Sequence, residues 1–562
     1  WIDARDGRHM LVGCDGGFYA SYDRTANWDH LNTVAIGQFY SVTICPQQPY
    51  YLAGGLQDNG SWCGPSMSLD GSGPINENWI SVGGGDGFVC RVDWNDAEVI
   101  YSESQNGAIQ RRNIRTGERF SVRPPRADGA PAYRFNWNTP FILSSHNSRI
   151  LYSAGNHVFR SLDRGNNMQV ISPEITLTKW GSATALGESP KNPDLLYVGT
   201  DDGALWITRD GAKTWSNIAK NVGLPGLRWV ATIEPSRFVE GRAYVAFDGH
   251  RCDDDQPYLY LTEDFGKTWT SIRANLPSGS SRCLREDLVN PNLLYLGTEF
   301  GAWCSLDRGK SWNKLGANLP TVAVHEFAIH PTAGEIVAAT HGRSLWVLDI
   351  SALRQLKPDQ IAQAPVLYQP STTMRWRSEP AHGRTNRRFS GQNPTIGAQL
   401  YYSVPKTAEK VSLKIIDIAG NTLRELPGKK EAGLNRITWD LRPVARSAPP
   451  TTQPNRMPTT RSARSTTRPA NAGFASRSSG EGSGAPQQRF AGLPPVPPGS
   501  YRIVLNVDGK EFAQTLRVDA DPVVAESTMA SNESELDENE EEEEEMERVE
   551  QVHEIRQPAE ID

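Results

Sequence analysis

Short apolar runs separated by polar, glycine-bearing turns fill the first 350 or so residues. Leu195-Leu196-Tyr197-Val198-Gly199 and Ala204-Leu205-Trp206-Ile207 are typical, and runs of this length and make-up predict β-strands. A short polar pattern recurs after such runs: a hydroxyl residue, any residue, Asp, four residues, then Trp. It reads Ser21–Asp23–Trp28, Thr208–Asp210–Trp215, Thr262–Asp264–Trp269 and Ser305–Asp307–Trp312, with a degenerate copy at Ser161–Asp163 where Met168 replaces the Trp. Asp163, Asp210, Asp264 and Asp307 are spaced by 47, 54 and 43 residues, and the gap of 140 from Asp23 equals three such steps with two boxes lost. A step of roughly 40–55 residues is one four-stranded propeller blade. In each box the Asp and the hydroxyl tie backbone amides in a tight hairpin turn, and the Trp packs between blades. These five aspartates are structural, because their carboxylates are committed to the turns.

Hairpin groups fall at 1–32, 36–80, 82–122, 135–173, 182–220, 229–276, 281–319 and 323–352. The first and last are incomplete. Either they combine to close a ring of about seven blades, or one belongs to a second propeller. After residue 356 the pattern changes to longer alternating strands such as "LYYSV", "VSLKIID", "RITWDL" and "YRIVLNV", which predict a β-sandwich over 365–442 and 490–520. Residues 443–489, rich in Pro, Ser, Thr and Arg, read as a disordered insertion, and 526–562 as an acidic disordered tail with six consecutive glutamates, Glu540–Glu545.

The ordered set "GGLQDNGSW" (54–62), "GGGDGF" (83–88), "YRFNWNTP" (133–140), "YVGTDDGALWITRDGAKTW" (197–215), "YVAFDGH" (244–250), "YLGTEFGAWCSLDRGKSW" (295–312) and "ATHGRSLWVLD" (339–349) resembles the Asp-box (BNR-like) β-propeller proteins. More closely it resembles the exported bacterial sortilin/Vps10-like group labelled glycosyl hydrolases. The hairpin "IIDIAGNTLREL" and the run "GLNRITWDLRP" resemble a FlgD-like, immunoglobulin-type module. The resemblance implies an all-β fold, an Asp-box propeller of about seven blades, alone or as half of a two-propeller protein, followed by an Ig-like sandwich. It also implies a secreted, periplasmic or cell-surface location. In two-propeller xyloglucanase-type enzymes the catalytic acids come from both halves. The cysteine-rich module that follows the propeller in sortilin-type receptors has no counterpart here.

Charge narrows the partners. The net of −7 hides a tail of 16 acids and two arginines, so residues 1–525 carry +7, mostly from seven arginines in 443–489. The folded part is near neutral, which argues against a nucleic-acid reader. The tail is expected to stay solvated or to pair with the arginine-rich insertion or a basic partner. No apolar run is long enough for a transmembrane helix. The opening Trp1-Ile2-Asp3 has no Met and no leader, and reads as a cut. Cys14, Cys45, Cys63, Cys90, Cys252, Cys283 and Cys304 show no CxxC and no zinc spacing, so free thiols are expected and no metal or cofactor.

Candidate chemistry lies on the face opposite the boxes, the face that holds the active site in Asp-box enzymes by resemblance. There "LQDNG", "TDDG", "TEFG" and "THGR" bring Asp58, Asn59, Asp201, Asp202, Glu299, His341 and Arg343, joined by Asp86, Asn138, Asp248 and His250 from neighbouring loops. Asp58, Asp86, Asp202 and Glu299 are the candidate catalytic carboxylates, since a glycosidase needs one acid and one base or nucleophile across a cleft. The same Asp-Asn-Gly and Asp-Asp-Gly sequences are also favoured tight turns. Trp62, Trp137 and Trp229 offer flat faces for sugar rings, and His250, His341 and Arg343 offer binding groups. Two functions follow: a glycan-acting hydrolase, or a non-catalytic propeller that binds glycan or peptide as a scaffold or assembly factor.

Overall fold

The computed structural model describes residues 1–443 and 494–523, apart from 15–16, 32–33, 127, 317, 358, 360–362 and 381–388. The tail and nearly all of the arginine-rich insertion lie outside the described residues.

Six four-stranded antiparallel sheets follow one another along the chain, and each is laid down in sequence order. Their innermost strands are Phe39–Cys45, Cys90–Asp93, Phe141–Leu143, Ala183–Ser189, Trp229–Pro235 and Ser281–Glu286. A seventh, three-stranded sheet begins with Val324–Ile329. Inner strand packs on inner strand around the circle, and Val324–Ile329 meets Phe39–Cys45 to shut it. The joint is sewn by backbone: Gly342 N–H and Ser344 N–H donate to Gly37 O at 3.2 and 2.9 Å, and Ser344 Oγ accepts from Gly37 N–H at 3.0 Å. Phe39, Val42, Ile44, Val337 and Ala339 share one core across it.

The ring therefore has seven blades and closes without the sheet at Met10–Cys14, Gly17–Ser21 and Asp29–His30, so the first hairpin group does not complete the last blade.

Within the ring each box sits between the third and fourth strands of its blade. In the turn after Leu205–Thr208, Asp210 Oδ1 accepts from Thr214 N–H at 2.9 Å and Thr208 Oγ at 2.9 Å, while Oδ2 accepts from Thr214 Oγ at 2.7 Å. Asp264 and Asp307 repeat the pattern with Thr268 and Ser311. Donors on the charged form hold Asp210 and Asp264 down at about 2. In the first sheet Asn27 plays the part of Thr214 for Asp23, whereas Asp163 turns to Arg149 and Asn166. Trp215 and Trp312 donate their indole N–H groups to Ile171 O and Ile272 O of the preceding blade. Glycines on the second strands let blades meet closely: a Cβ on Gly199 would lie 2.3 Å from Val230, and one on Gly297 2.3 Å from Val324 O.

Beyond Ser351–Gln355, a three-stranded and a five-stranded sheet face each other over Leu400, Tyr402, Leu413, Ile415, Trp439, Ile503, Leu505 and Leu516. This is the β-sandwich, with strands from Val366–Leu367 to Lys510–Ala520. The seven cysteines are free thiols, of which Cys14 and Cys252 are exposed. Among the described residues no helix is long and apolar enough to cross a membrane.

Candidate functional site

The inner strands build the site through one repeated irregularity. Five of the seven carry an extra residue near their start, between Phe39 and Ser41, Ala183 and Ala185, Val230 and Thr232, Ser281 and Cys283, and Val324 and Glu326. A bulge leaves its extra residue out of the ladder and re-aims its side chain. The extra residues are Tyr40, Thr184, Ala231, Arg282 and His325, and all five line the central cavity. That cavity holds about 610 Å³ and reaches to the face opposite the boxes, where Asn136, Trp137, Asn138, Trp229, Asp248 and Arg251 complete its wall.

The mouth is aromatic on one side and ionic on the other. Trp137 is 53% exposed, and the Arg251 guanidinium lies 4.8 Å over the Trp229 ring. Arg282 reaches from the wall to two carboxylates: Nη1 donates to Asp248 Oδ2 at 2.5 Å, and Nε donates to Glu299 Oε2 at 2.9 Å. Deeper in the channel, Arg285 Nη2 donates to Glu326 Oε2 at 2.6 Å and Nη1 lies 3.5 Å from Glu234 Oε2. Burial pushes Glu234 up to about 7, against the pull of Arg285. Arg91 also lines the channel, and its guanidinium donates from Nη1 to Cys90 O at 2.9 Å. Burial draws its guanidinium below the usual range, Glu326 pulling up and Arg285 down.

The candidate carboxylates have different surroundings. Asp202 accepts four hydrogen bonds, from Leu177 N–H, Thr178 N–H, Thr178 Oγ and Thr200 Oγ, at 2.6–3.1 Å. It pins the loop that enters the fourth blade. Asp201 does likewise for Ser182 and Asn136. Asp86 is buried and accepts from Asp58 N–H at 2.7 Å, holding the turn in which Asp58 takes a φ of +61°. The Asp58 carboxylate itself is exposed and has no hydrogen-bond partner among the described residues. Glu299 is tied to Arg282.

Of the candidate binding groups, Trp137, Trp229 and Asn138 line the cavity together. His341 stands behind the wall, its ring parallel to that of His325 at 4.4 Å and 4.8 Å from Tyr40. Trp62 turns away to donate its indole N–H to Asn59 O, Arg343 lies against Gly342 O, and exposed His250 faces Asp255 at 3.3 Å. Tyr40, Arg91, Arg251, Arg282 and His325 escaped sequence reasoning, as did the exposed Trp180 (77%) and Phe300 (50%) in loops of this same face. For Tyr40, Arg282 and His325 the signal lay in the broken alternation at the start of their inner strands.

Burial lowers His325 well below an ordinary histidine, with His341 and Arg282 adding to it. Burial also lowers His341, with Arg282 adding and the Phe39 carbonyl and Glu299 opposing. The folded state thus binds fewer protons than the unfolded chain below about pH 6.5, so this pair removes stability as pH falls through that value. Denaturant titrations of the parent and of His325→Phe are expected to diverge by about 1 kcal/mol in the variant's favour between pH 7.5 and 5.5. Parallel curves would remove the effect.

No protein-family model matches the chain. It is 25% identical over 227 residues to an oligoxyloglucan-reducing end-specific xyloglucanase of Emericella nidulans, covering 37% of this chain and 27% of that protein. It is 32% identical over 128 residues to a vacuolar protein sorting/targeting protein 10 of the same organism, covering 22% of this chain and 8% of that one. The chain thus matches about a quarter or less of the length of either relative. Among solved structures, the GH74 xyloglucanase of Xanthomonas campestris superposes with a TM-score of 0.45 at 16% identity, over 76% of this chain and 70% of that one. The chain is a β-propeller protein with similarity to a glycosyl hydrolase and to a sorting protein.

Proposed function

We propose that this chain is a glycosyl hydrolase-like, polysaccharide-binding propeller, and that the mouth of its central channel, opposite the Asp boxes, is where the glycan sits. The observation that carries the reading is the 610 Å³ cavity with Trp137 and Trp229 on its wall. Flat indole faces match the apolar faces of pyranose rings, and the fixed amide of Asn136, the Asp248–Arg282–Glu299 group and Tyr40 supply polar contacts to hydroxyls. The partial match to a xyloglucanase supports the same class of ligand. A polysaccharide ligand goes with a secreted, periplasmic or cell-surface location, and the FlgD-like character of the sandwich fits that setting.

Isothermal titration against xyloglucan, mixed-linkage glucan and bacterial polysaccharides tests the reading. Trp137→Ala and Trp229→Ala are each expected to weaken binding about tenfold, on the order of 1.4 kcal/mol, with little change in melting for the half-exposed Trp137. Folded protein that binds no glycan in the panel would overturn it.

Hydrolysis is a second reading, and Asp58 favours it as the exposed candidate carboxylate with no hydrogen-bond partner among the described residues. Released oligosaccharides in a mass spectrum, lost in Asp58→Asn, are the expected result on this reading. Product release that survives the substitution would rule Asp58 out.

A further inference from the structure

Four arginines and four carboxylates meet in the channel, and the carboxylates are shared unevenly. Arg282 is matched by Asp248 and Glu299, and Arg285 by Glu326 and Glu234. Arg91 and Arg251 line the same cavity, and among the described residues neither has a carboxylate within ion-pair distance. Arg91 spends Nη1 on a backbone carbonyl, which leaves the rest of its donor fork for something else. A guanidinium held in a cavity without a directly bonded carboxylate is poorly compensated, and a ligand that brings one gains a charge-assisted, bidentate contact whose desolvation is already partly met.

We propose that the glycan bound in the channel is an acidic one, whose uronic acid residues present their carboxylates to Arg91 and Arg251. The inference rests on the glycan-binding reading above. Arg251 lies directly on the Trp229 ring, so positive charge borders a stacking platform. A uronic acid has the same layout, with a carboxylate on C5 at the edge of a ring whose faces are apolar. A neutral sugar would leave both guanidinium groups unmatched. A bare anionic peptide would leave the tryptophan faces unused.

The test compares oligogalacturonides and a glucuronate-bearing xylo-oligosaccharide with their carboxyl-reduced forms, by calorimetric titration of the full chain. The acidic forms are expected to bind at least tenfold more tightly, with the advantage shrinking as NaCl is added. Arg91→Gln and Arg251→Gln should bring the two forms level, and Arg91→Lys should keep part of the difference. Thermal melts show whether each variant is folded. If Arg91→Gln does not fold, the comparison on the parent protein decides alone. Equal affinity for acidic and reduced forms, with binding still weakened in Trp137→Ala, would overturn the acidic ligand and leave the glycan site standing. Binding of neither form, or tighter binding of hexaglutamate than of any glycan, would overturn both.

Discussion

Trp312→Ala is expected to lower the unfolding free energy by about 3–5 kcal/mol, the range for emptying a buried aromatic site. Trp312 is 2% exposed and packs among Ile272 and Leu276 of the preceding blade and Leu284 of its own. Its indole N–H donates to Ile272 O at 2.8 Å, and its backbone exchanges hydrogen bonds with the Asn275 amide at 2.8 and 2.9 Å. Truncation therefore opens a cavity at a blade interface and leaves a buried carbonyl without its donor. Trp28 occupies the same position in its box, but it is 39% exposed in the sheet outside the ring. Trp28→Ala is expected to stay within about 1 kcal/mol of the parent. Urea unfolding followed by circular dichroism checks both, and comparable losses for the two would show that the box tryptophan does not act by bridging blades.

Arg282→Ala is expected to cost a similar 3–5 kcal/mol and to remove ligand binding as well. Its guanidinium is the counter-ion of Asp248, which is 3% exposed, and of Glu299 in the next turn. Removing one partner of a buried ion pair leaves an uncompensated charge, which is worse than never having had the pair. Arg282→Lys should recover only part of the loss, since a single ammonium cannot reproduce the fork that spans both carboxylates. Full recovery with lysine would reduce the role of Arg282 to charge alone. Melting temperature and glycan affinity need to be read together here, because a well-folded variant that no longer binds assigns Arg282 to the site rather than to the scaffold.

The repeats were legible because their determinants are local. A box is a tight turn whose donors and acceptor lie within seven residues, and the blade step follows from counting boxes. Two blades without a box were still recovered, from the interval between Asp23 and Asp163. The site was legible only as a face. Asp202 and Asp58 sit in similar turns, yet one carboxylate is filled by the Leu177–Thr178 loop and the other projects outward. That difference depends on which way an adjacent loop turns its amides, and no spacing along the chain records it. Arg282 and His325 were missed for another reason. A strand read as strict alternation places side chains on two faces, and a one-residue bulge shifts the phase and aims a third set at the axis.

A ring shut by joining its two ends has a timetable. Gly37 finds its partner in Ser344, 307 residues further along the chain. At ribosomal rates of about 5–20 residues per second, the first blade waits roughly 15–60 s for the last to be made. Throughout that interval the Phe39–Cys45 strand has one flank without its neighbour, and the edge it offers is the one that another nascent copy would also fit. The last blade is thus the step at which an aggregation-prone open arc becomes a closed ring, and a ribosome that stalls just before residue 324 would release the form most in need of a chaperone.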